Sequence, residues 1–474
     1  MTLFAQIYDN FIVKGECELN NKTVKEVLSI ALPAVGEMFL YMMVWVFDTM
    51  MVGKYGGQVA VSTVGLCSEI MTGIVNIFIV LGVCVGAVSL VSRNLGANKF
   101  DLAEEYASLS LVIGIILSLI ISSSAFILAP KILSFAGAKN QVLNLGVIYL
   151  RITSIGLFFN MIMNVLNSIL RGSKNTKTPL IAAVIINIIN IFLDWAMIFG
   201  KAGFPELGVK GAAIATSFSH IIGFLFIFIY TFKYSKIKPR FKYIKDMSLA
   251  KLRNLVKLAI PSSLQEAAYS LARIWGIFMV MGLGETAFAA NQIATTIESI
   301  SYMPGTGFGV ACTALVGHKI GEKDFKEANE YAHTCAILGL IFMGLCSTIF
   351  LIFPKFIVSL FISRSELEVI KLGALCLMAG ALEQPFMALY LVYGGALKGS
   401  GDTKTPFYIA LIAAWAIRIP LMLYFIGYLK VDIYYNWWIT GAQWAFQGIG
   451  IYMLFKKRFS KYVNNQEKAI KLSA

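Results

Sequence analysis

"SILRGSKNTKTPLIAA" runs from Ser168 to Ala183, and "GALKGSGDTKTPFYIA" runs from Gly395 to Ala410. Both read as a leucine, a basic residue, Gly-Ser, two variable positions, Thr-Lys-Thr-Pro and an apolar run. The copies lie 227 positions apart (168 to 395). A second pair, "ALPAVGEMFLY" from Ala31 and "AIPSSLQEAAY" from Ala259, is offset by 228 positions. A third, "LVSRNLGANKFDLAEEYA" from Leu90 and "LVGHKIGEKDFKEANEYA" from Leu315, is offset by 225. Three matches in the same order at nearly one spacing mark an internal duplication.

Composition says where the duplicated chain resides. Of 474 residues, 58% are hydrophobic and 14% charged, whereas a soluble domain carries about 25% charged residues. Apolar runs such as Leu109 to Leu128 and Ile214 to Phe232 have the length of a membrane-crossing helix. The pattern predicts twelve spans, at 26–52, 58–92, 101–128, 141–170, 178–200, 209–232, 252–281, 285–317, 327–353, 366–397, 405–428 and 433–455. Each repeat holds six, an even number, so both halves enter the membrane from the same side. The expected fold is an all-α integral membrane protein. Its twelve transmembrane helices form two six-helix lobes related by a pseudo-two-fold along the membrane normal. The boundaries read 1–25, a cytoplasmic N-terminal segment; 26–232, the N-terminal lobe; 233–251, a basic linker; 252–455, the C-terminal lobe; and 456–474, a cytoplasmic tail. No basic n-region with a short apolar core and cleavage site opens the chain, so the first span is read as retained.

The net charge of +14 invites a nucleic-acid reading, which the distribution of charge opposes. With the N-terminus in the cytoplasm, most lysines and arginines fall on cytoplasmic segments, as the positive-inside rule requires. The largest cluster starts at Lys233, between the sixth and seventh spans, and reads as a topology signal in contact with anionic lipid. No nucleic-acid partner is expected; the lipid bilayer is. The location is the cell membrane, multi-pass, with both termini cytoplasmic, and the chain is expected to be a monomer. The repeated loops carry Arg171, Lys174, Lys177, Lys398 and Lys404 on that same side. Gly172 and Gly399 suit a helix end, and Pro179 and Pro406 suit the start of the next helix. Seven scattered cysteines form no CxxC and read as packing residues.

Hydrolytic and ATP-driven chemistry find no support. His220, His318 and His333 are isolated, GxSxG is missing, and "GSKNTKT" lacks the Gly-Lys-Ser/Thr order of a phosphate loop. The chain is not read as an enzyme, and it needs no cofactor or metal beyond a coupling ion, Na⁺ or H⁺.

An acid inside the bilayer is a functional candidate, because its charge costs about 3 kcal/mol or more there. Seven fall within the spans: Glu37, Asp48, Glu69, Asp194, Glu266, Glu298 and Glu383. Asn187, Asn190 and Asp194 follow i, i+3, i+7 spacing and share one face of the fifth span. An acid with amide oxygens one and two turns away suits a small cation or a shared proton. Asp48 lies on the first span of the same half. The alternative is that Asp48 and Asp194 only hydrogen-bond neighbouring helices. Asn160, Asn164 and Asn167 form a polar face on the fourth span, suited equally to a substrate cleft or to interhelical contact. Glu69 and Glu298 occupy matched places in the repeats and suggest a shared structural role. Glu37 reads as a cap or a cleft residue.

The stretch "VFDTMMVGKYG", the paired "RGSKNTKTP" and "KGSGDTKTP", and "YMPGTGFGVACTALVGHKIGEKD" together resemble the multidrug and toxic compound extrusion (MATE) transporters. The resemblance covers about 26 to 455. It implies a V-shaped pair of lobes and export of organic cations or drugs against an inward flow of Na⁺ or H⁺. The DinF-like branch carries an acid in "VDT" on helix one and an Asn-x-x-x-Asp pair on helix five, which fall here on Asp48, Asn190 and Asp194. A helix-six threonine joins that site, and Thr216 is its best match. The NorM-like branch uses acids on helices seven and ten, where Glu266 and Glu383 lie, each displaced relative to its proline. With Glu298, Glu69 and Glu37 they are candidates for a second ion or substrate site. Asn160, Asn164, Asn167 and Asn187 are candidates for the substrate cleft.

The expected function is therefore a secondary active antiporter exporting organic cations or drugs by rocker-switch alternating access. The rival is a flippase for lipid-linked or other amphipathic substrates. A flippase cleft should hold many cations for pyrophosphate, but Arg151, Arg273 and Arg418 are the arginines set away from the span ends, against the seven acids named above. Among the 34 Phe, 20 Tyr and 19 Met, a few in the cleft would suit flat cations.

Overall fold

The computed structural model describes residues 20–240, 242–245, 248–362 and 365–473. Residues 1–19 of the expected N-terminal segment lie outside the described residues, as do 241, 246 and 247 of the expected linker. Twelve long helices follow the twelve expected spans. In the first half they are α1 (Asn21–Gly57), α2 (Val59–Gly96), α3 (Phe100–Phe135), α4 (Asn140–Gly172), α5 (Lys177–Ile198) and α6 (Val209–Lys233). In the second they are α7 (Leu249–Met281), α8 (Glu285–Glu322), α9 (Phe325–Ile352), α10 (Leu367–Gly399), α11 (Lys404–Tyr428) and α12 (Tyr434–Ser473). Gly57, at φ 59°, parts α1 from α2 in a conformation only glycine adopts without strain. Among the described residues, nine helices are long and apolar enough to cross a membrane by length and composition. The other three, α7, α8 and α12, carry more polar side chains, such as Lys257 and Arg273 on α7, Glu298 on α8 and Gln443 on α12.

The chain forms two compact units. The N-terminal unit comprises Pro33–Leu271 and Gly401–Tyr408. Among the described residues, the C-terminal unit comprises those of 272–400, those from 409 onwards and those up to Leu32. Packing boundaries thus run elsewhere than the repeat boundaries, because α1 up to Leu32 and α7 up to Leu271 pack with the opposite half.

Within the N-terminal unit α4 is central, packed on α3 and α6, with α5 against α6. Within the C-terminal unit α10 has the same place, packed on α8, α9 and α12. Lipid supplies no hydrophobic drive between helices, so small residues and close backbones must do so. A methyl group at Gly395 of α10 would collide with the Gly309 carbonyl of α8. Thr313 Oγ1 lies 3.0 Å from the Gly395 carbonyl across the same seam. Large apolar side chains such as Ile127, Leu119 and Phe278 are exposed, as a lipid-facing surface requires.

The repeated motif is a helix start. Asn175 Oδ1 accepts the Thr178 N–H at 3.1 Å, and Asp402 Oδ1 accepts the Thr405 N–H at 3.1 Å. Each side chain supplies an acceptor that the first turn of α5 or α11 lacks. Gly172 and Gly399 are the last residues of α4 and α10, at helix ends as expected, but they do not take the left-handed conformation. The left-handed positions are Lys174, at φ 62°, and Gly401, at φ 91°. Gly172 and Gly399 instead permit close approach, of Val91 in one case and of the Thr313 carbonyl in the other.

The basic stretch after α6 is packed rather than loose. Ile237 is fully buried. Arg240 Nε pairs with Glu104 at 2.8 Å, and the Arg240 N–H donates to Ser108 Oγ at 2.8 Å. Lys251 pairs with Glu105, and Tyr243 donates to Asp101 at 2.9 Å. Its charges meet the acids that open α3, in addition to any lipid.

Candidate functional site

Asp48 of α1, Asn190 and Asp194 of α5 and Thr216 of α6 come together inside the N-terminal unit. Asn190 and Asp194 are fully buried, and Asp48 is nearly so. The i, i+4 spacing of Asn190 and Asp194 sets both on one face of α5. The carboxyl groups of Asp48 and Asp194 face each other, with the Asn190 amide beside both. Thr216 Oγ1 lies 3.2 Å from Asp48 Oδ2 and 2.9 Å from the Ala212 carbonyl, so its one proton can serve either. Asn187, one turn below Asn190, ties α5 to α1 by donating to the Leu40 carbonyl at 3.1 Å. The phenol of Tyr149, on α4, is near enough to feel the charge of both carboxyl groups, and its hydroxyl meets Ser68 of α2. Tyr149 was not singled out from the sequence, and a lone tyrosine in an apolar run carries no signal that would have found it.

The chemistry of this cluster follows from its unsatisfied oxygens. Asp48 Oδ1, both oxygens of Asp194, and both polar atoms of the Asn190 amide are buried without a well-formed hydrogen bond. Two facing carboxylates in a low-dielectric interior cannot both stay ionised without a cation or a proton. The donors are carboxylate, amide and hydroxyl oxygens, a hard set that suits Na⁺ or a proton. Among the described residues, no group of three or more His, Cys, Asp or Glu side chains gathers to hold a metal.

A second carboxyl pair lies in the C-terminal unit. Glu298 of α8 faces Glu383 of α10, and Arg418 of α11 lies near enough for its charge to act on both. Glu383 is 1% exposed, and neither of its carboxylate oxygens has a well-formed hydrogen bond. Gln443 of α12, fully buried in the same unit, has both amide atoms unsatisfied. Glu266 belongs to the other unit, with its Oε1 3.4 Å from Ser270 Oγ. Glu69, matched to Glu298 in sequence, is exposed on α2, so the matched acids have different surroundings.

Glu37 is neither a cap nor an open acid. It is fully buried and pairs with Arg171 Nη2 at 2.5 Å. Arg171, read from the sequence as a loop cation, stands on the last turn of α4 and is also buried. Asn167, one turn earlier, meets the Tyr41 hydroxyl of α1. Asn164 donates to Asn160 Oδ1 and to the Asn160 carbonyl, both at 3.0 Å. The asparagine face of α4 thus divides, with Asn164 donating to Asn160 and Asn167 turned to α1.

The sequence profile of the MatE family matches residues 33–196 and 261–423. The two segments open at Pro33 and Pro261, the matched prolines of the duplication. A probable multidrug resistance protein NorM of Thermotoga maritima is 28% identical over 431 residues, 91% of each chain. The uncharacterized transporter YisQ of Bacillus subtilis is 26% identical over 430 residues, 91% of this chain and 93% of that one. A multidrug resistance MATE family transporter of the MOP superfamily, solved in an outward-facing conformation, shares the fold. It superposes with a TM-score of 0.86 over 93% of this chain and 96% of that chain, at 21% identity.

Proposed function

Because the chain belongs to the MatE family of multidrug and toxic compound extrusion transporters, we propose that it is a secondary active antiporter exporting organic cations or drugs in exchange for Na⁺ or H⁺. The family consists of membrane transporters and not enzymes. The observation that carries the coupling reading is the facing of Asp48 and Asp194 in a buried site with unsatisfied oxygens. Asp48 and Asp194 hold the cation or proton, Asn190 and Thr216 complete its oxygen shell, and Asn187 fixes α5 against α1. This arrangement also supports placement in the DinF-like branch.

The cycle follows from charge. With an ion or proton bound, Asp48 and Asp194 attract and α1 packs on α5. Without it, two like charges in low dielectric repel by several kcal/mol, and that packing is disfavoured. Occupancy of the site therefore biases the unit between two packings, which suffices to couple ion entry to substrate exit by alternating access of the rocker-switch kind. The asparagine face of α4 is the candidate for substrate contact, and the Glu298–Glu383 pair is the candidate for a second ion or substrate site. A flippase reading is weaker, because Arg171 is taken by Glu37 and the charge of Arg418 acts on two acids, leaving neither for a pyrophosphate.

The test is ethidium efflux from proteoliposomes under separate Na⁺ and pH gradients. Asp48→Asn keeps the volume and removes the charge, and it should abolish gradient-driven efflux while the protein stays folded in the membrane. Asp194→Asn should do the same, and the double variant should be no worse than either. Efflux at the wild-type rate in both single variants would remove this site from the coupling step.

A further inference from the structure

The duplication assigns every position in one half a counterpart in the other. By the 228-position offset of the first helices, Asp48 corresponds to Gly276 of α7. By the 227-position offset of the Thr-Lys-Thr-Pro motifs, Asp194 corresponds to Leu421 of α11. The second half therefore lacks an acid at both places where the first half has one. Arg418 lies about one helical turn before Leu421. It ends a π-helical segment, Ala413–Arg418, an irregularity that re-aims side chains and recurs at functional sites. Arg418 Nη2 is 3.5 Å from the place where a Cβ on Gly276 would stand. A guanidinium, with the Met422 side chain beside it, thus borders the place that matches Asp48 of the first half.

Its surroundings give that charge a task. Arg418 is 9% exposed, and its Nε has no hydrogen-bond partner. Its charge reaches Glu298 and Glu383, whose helices α8 and α10 are not the counterparts of the helices that carry Asp48 and Asp194. A Cβ on Gly441 of α12 would be 3.9 Å from Glu383 Oε2. Two carboxyl groups and one guanidinium share this interior, and arginine does not lose its proton in a protein. One positive charge is therefore supplied by the chain before any ion arrives.

Building on the reading of Asp48 and Asp194 as the coupling site, we propose that Arg418 is a tethered cation standing in for one coupling ion. The Glu298–Glu383 pair then takes up one external cation fewer than it would without the arginine, and Arg418 sets the coupling ratio of the transporter.

The ratio is read in proteoliposomes from the potential at which net ethidium movement reverses, with Na⁺ and pH gradients imposed separately. Arg418→Lys keeps the charge and should keep the wild-type ratio. Arg418→Gln should move one more cation per ethidium. An Arg418→Gln protein that transports at the wild-type ratio overturns the proposal. Should Arg418→Gln leave too much uncompensated charge to accumulate, the double variant Arg418→Gln/Glu383→Gln removes one charge of each sign. It should accumulate and keep the wild-type ratio, and its failure to accumulate overturns the proposal as well. Failure of the N-terminal coupling reading appears elsewhere, as intact coupling in Asp48→Asn with Arg418 unchanged.

Discussion

Glu37 and Arg171 are separated by 134 positions, yet they meet at 2.5 Å with almost no exposure. A buried pair is costly to split, because the survivor keeps its charge without a partner; removal of one member costs about 3–5 kcal/mol. Glu37→Gln should therefore lower thermal stability in detergent severely, and Glu37→Gln/Arg171→Met should be less destabilised than Glu37→Gln alone. A double variant as unstable as the sum of its singles would show that the two do not act as a pair. A gentler ion cluster stands at the end of α8, outside the apolar spans. Burial pushes the Glu322 carboxyl up, but the hydrogen bond and charge of Lys319, with His318 beside them, outweigh it and hold Glu322 below the usual range. Burial lowers the Lys319 ammonium, and Glu322 and Glu327 outweigh that and raise it. Glu322 thus contributes stability above about pH 4.5 that is lost as pH falls through its lowered value, and Lys319 contributes stability lost only as pH rises past about 10.5. Glu322→Gln should lower the melting temperature at pH 7 and converge with wild type in acid. Asp48, Asn190 and Asp194 were legible in the sequence because a lone acid or a polar stripe is conspicuous in an apolar helix, whereas Thr216 came only from the family resemblance. The roles of Arg171 and Arg418 were not, since a cation's partner on a distant helix leaves no local trace.

At the scale of the element, the duplication extends to the contacts that seat the first turns of α1 and α7. In the N-terminal unit, Lys251 of α7 pairs with Glu105, and Asn254 donates to the Tyr106 hydroxyl at 3.2 Å. In the C-terminal unit, Thr23 of α1 donates to Glu330 at 2.6 Å, and Tyr331 donates to Glu26. Positions 23 and 26 correspond to 251 and 254, and Glu330-Tyr331 corresponds to Glu105-Tyr106. The Glu-Tyr-Ala repeated in the sequence is thus a clamp for a helix start, used once in each unit. Hydrogen bonds to a charged group contribute about 1.5–3 kcal/mol, and neutral ones about 1. Tyr331→Phe, which loses the bond to the Glu26 carboxylate, should therefore destabilise more than Tyr106→Phe, as measured by thermal unfolding in detergent. Equal losses would mean that the acid at position 26 adds nothing. The twelve helices were legible because length and hydropathy encode a span almost directly, and the Asn175 and Asp402 caps lay inside the quoted motif. The true left-handed turn residues were not, because Lys174 gives no sign of a positive φ. Nor was the docking of the basic linker, because acids at the start of α3 look like an ordinary helix N-terminus.

At the scale of the molecule, the property with most consequence for export is which ends face the cytoplasm. The bilayer surface on that side is negative, and each lysine or arginine near it contributes about 1 kcal/mol of attraction. The basic stretch after α6 and both repeated Thr-Lys-Thr-Pro loops join helix ends on one common side of the twelve-span order. Placing that side inward follows the positive-inside bias. It also puts the Glu37–Arg171 pair, on the last turn of α4, at the inner end of its helix. Residues for a test must be exposed. Lys236, in the stretch after α6, and Lys201, between α5 and α6, both are. They fall on opposite sides, because a single span, α6, separates them. In a background without the native cysteines, Lys201→Cys should react with an impermeant maleimide added to intact cells, and Lys236→Cys should react only after the cells are opened. The reverse result would turn the transporter over in the membrane, and the same gradient would then drive import. Reaction of both sites in intact cells would mean that α6 does not cross at all, and the even count of spans in each repeat would fall with it.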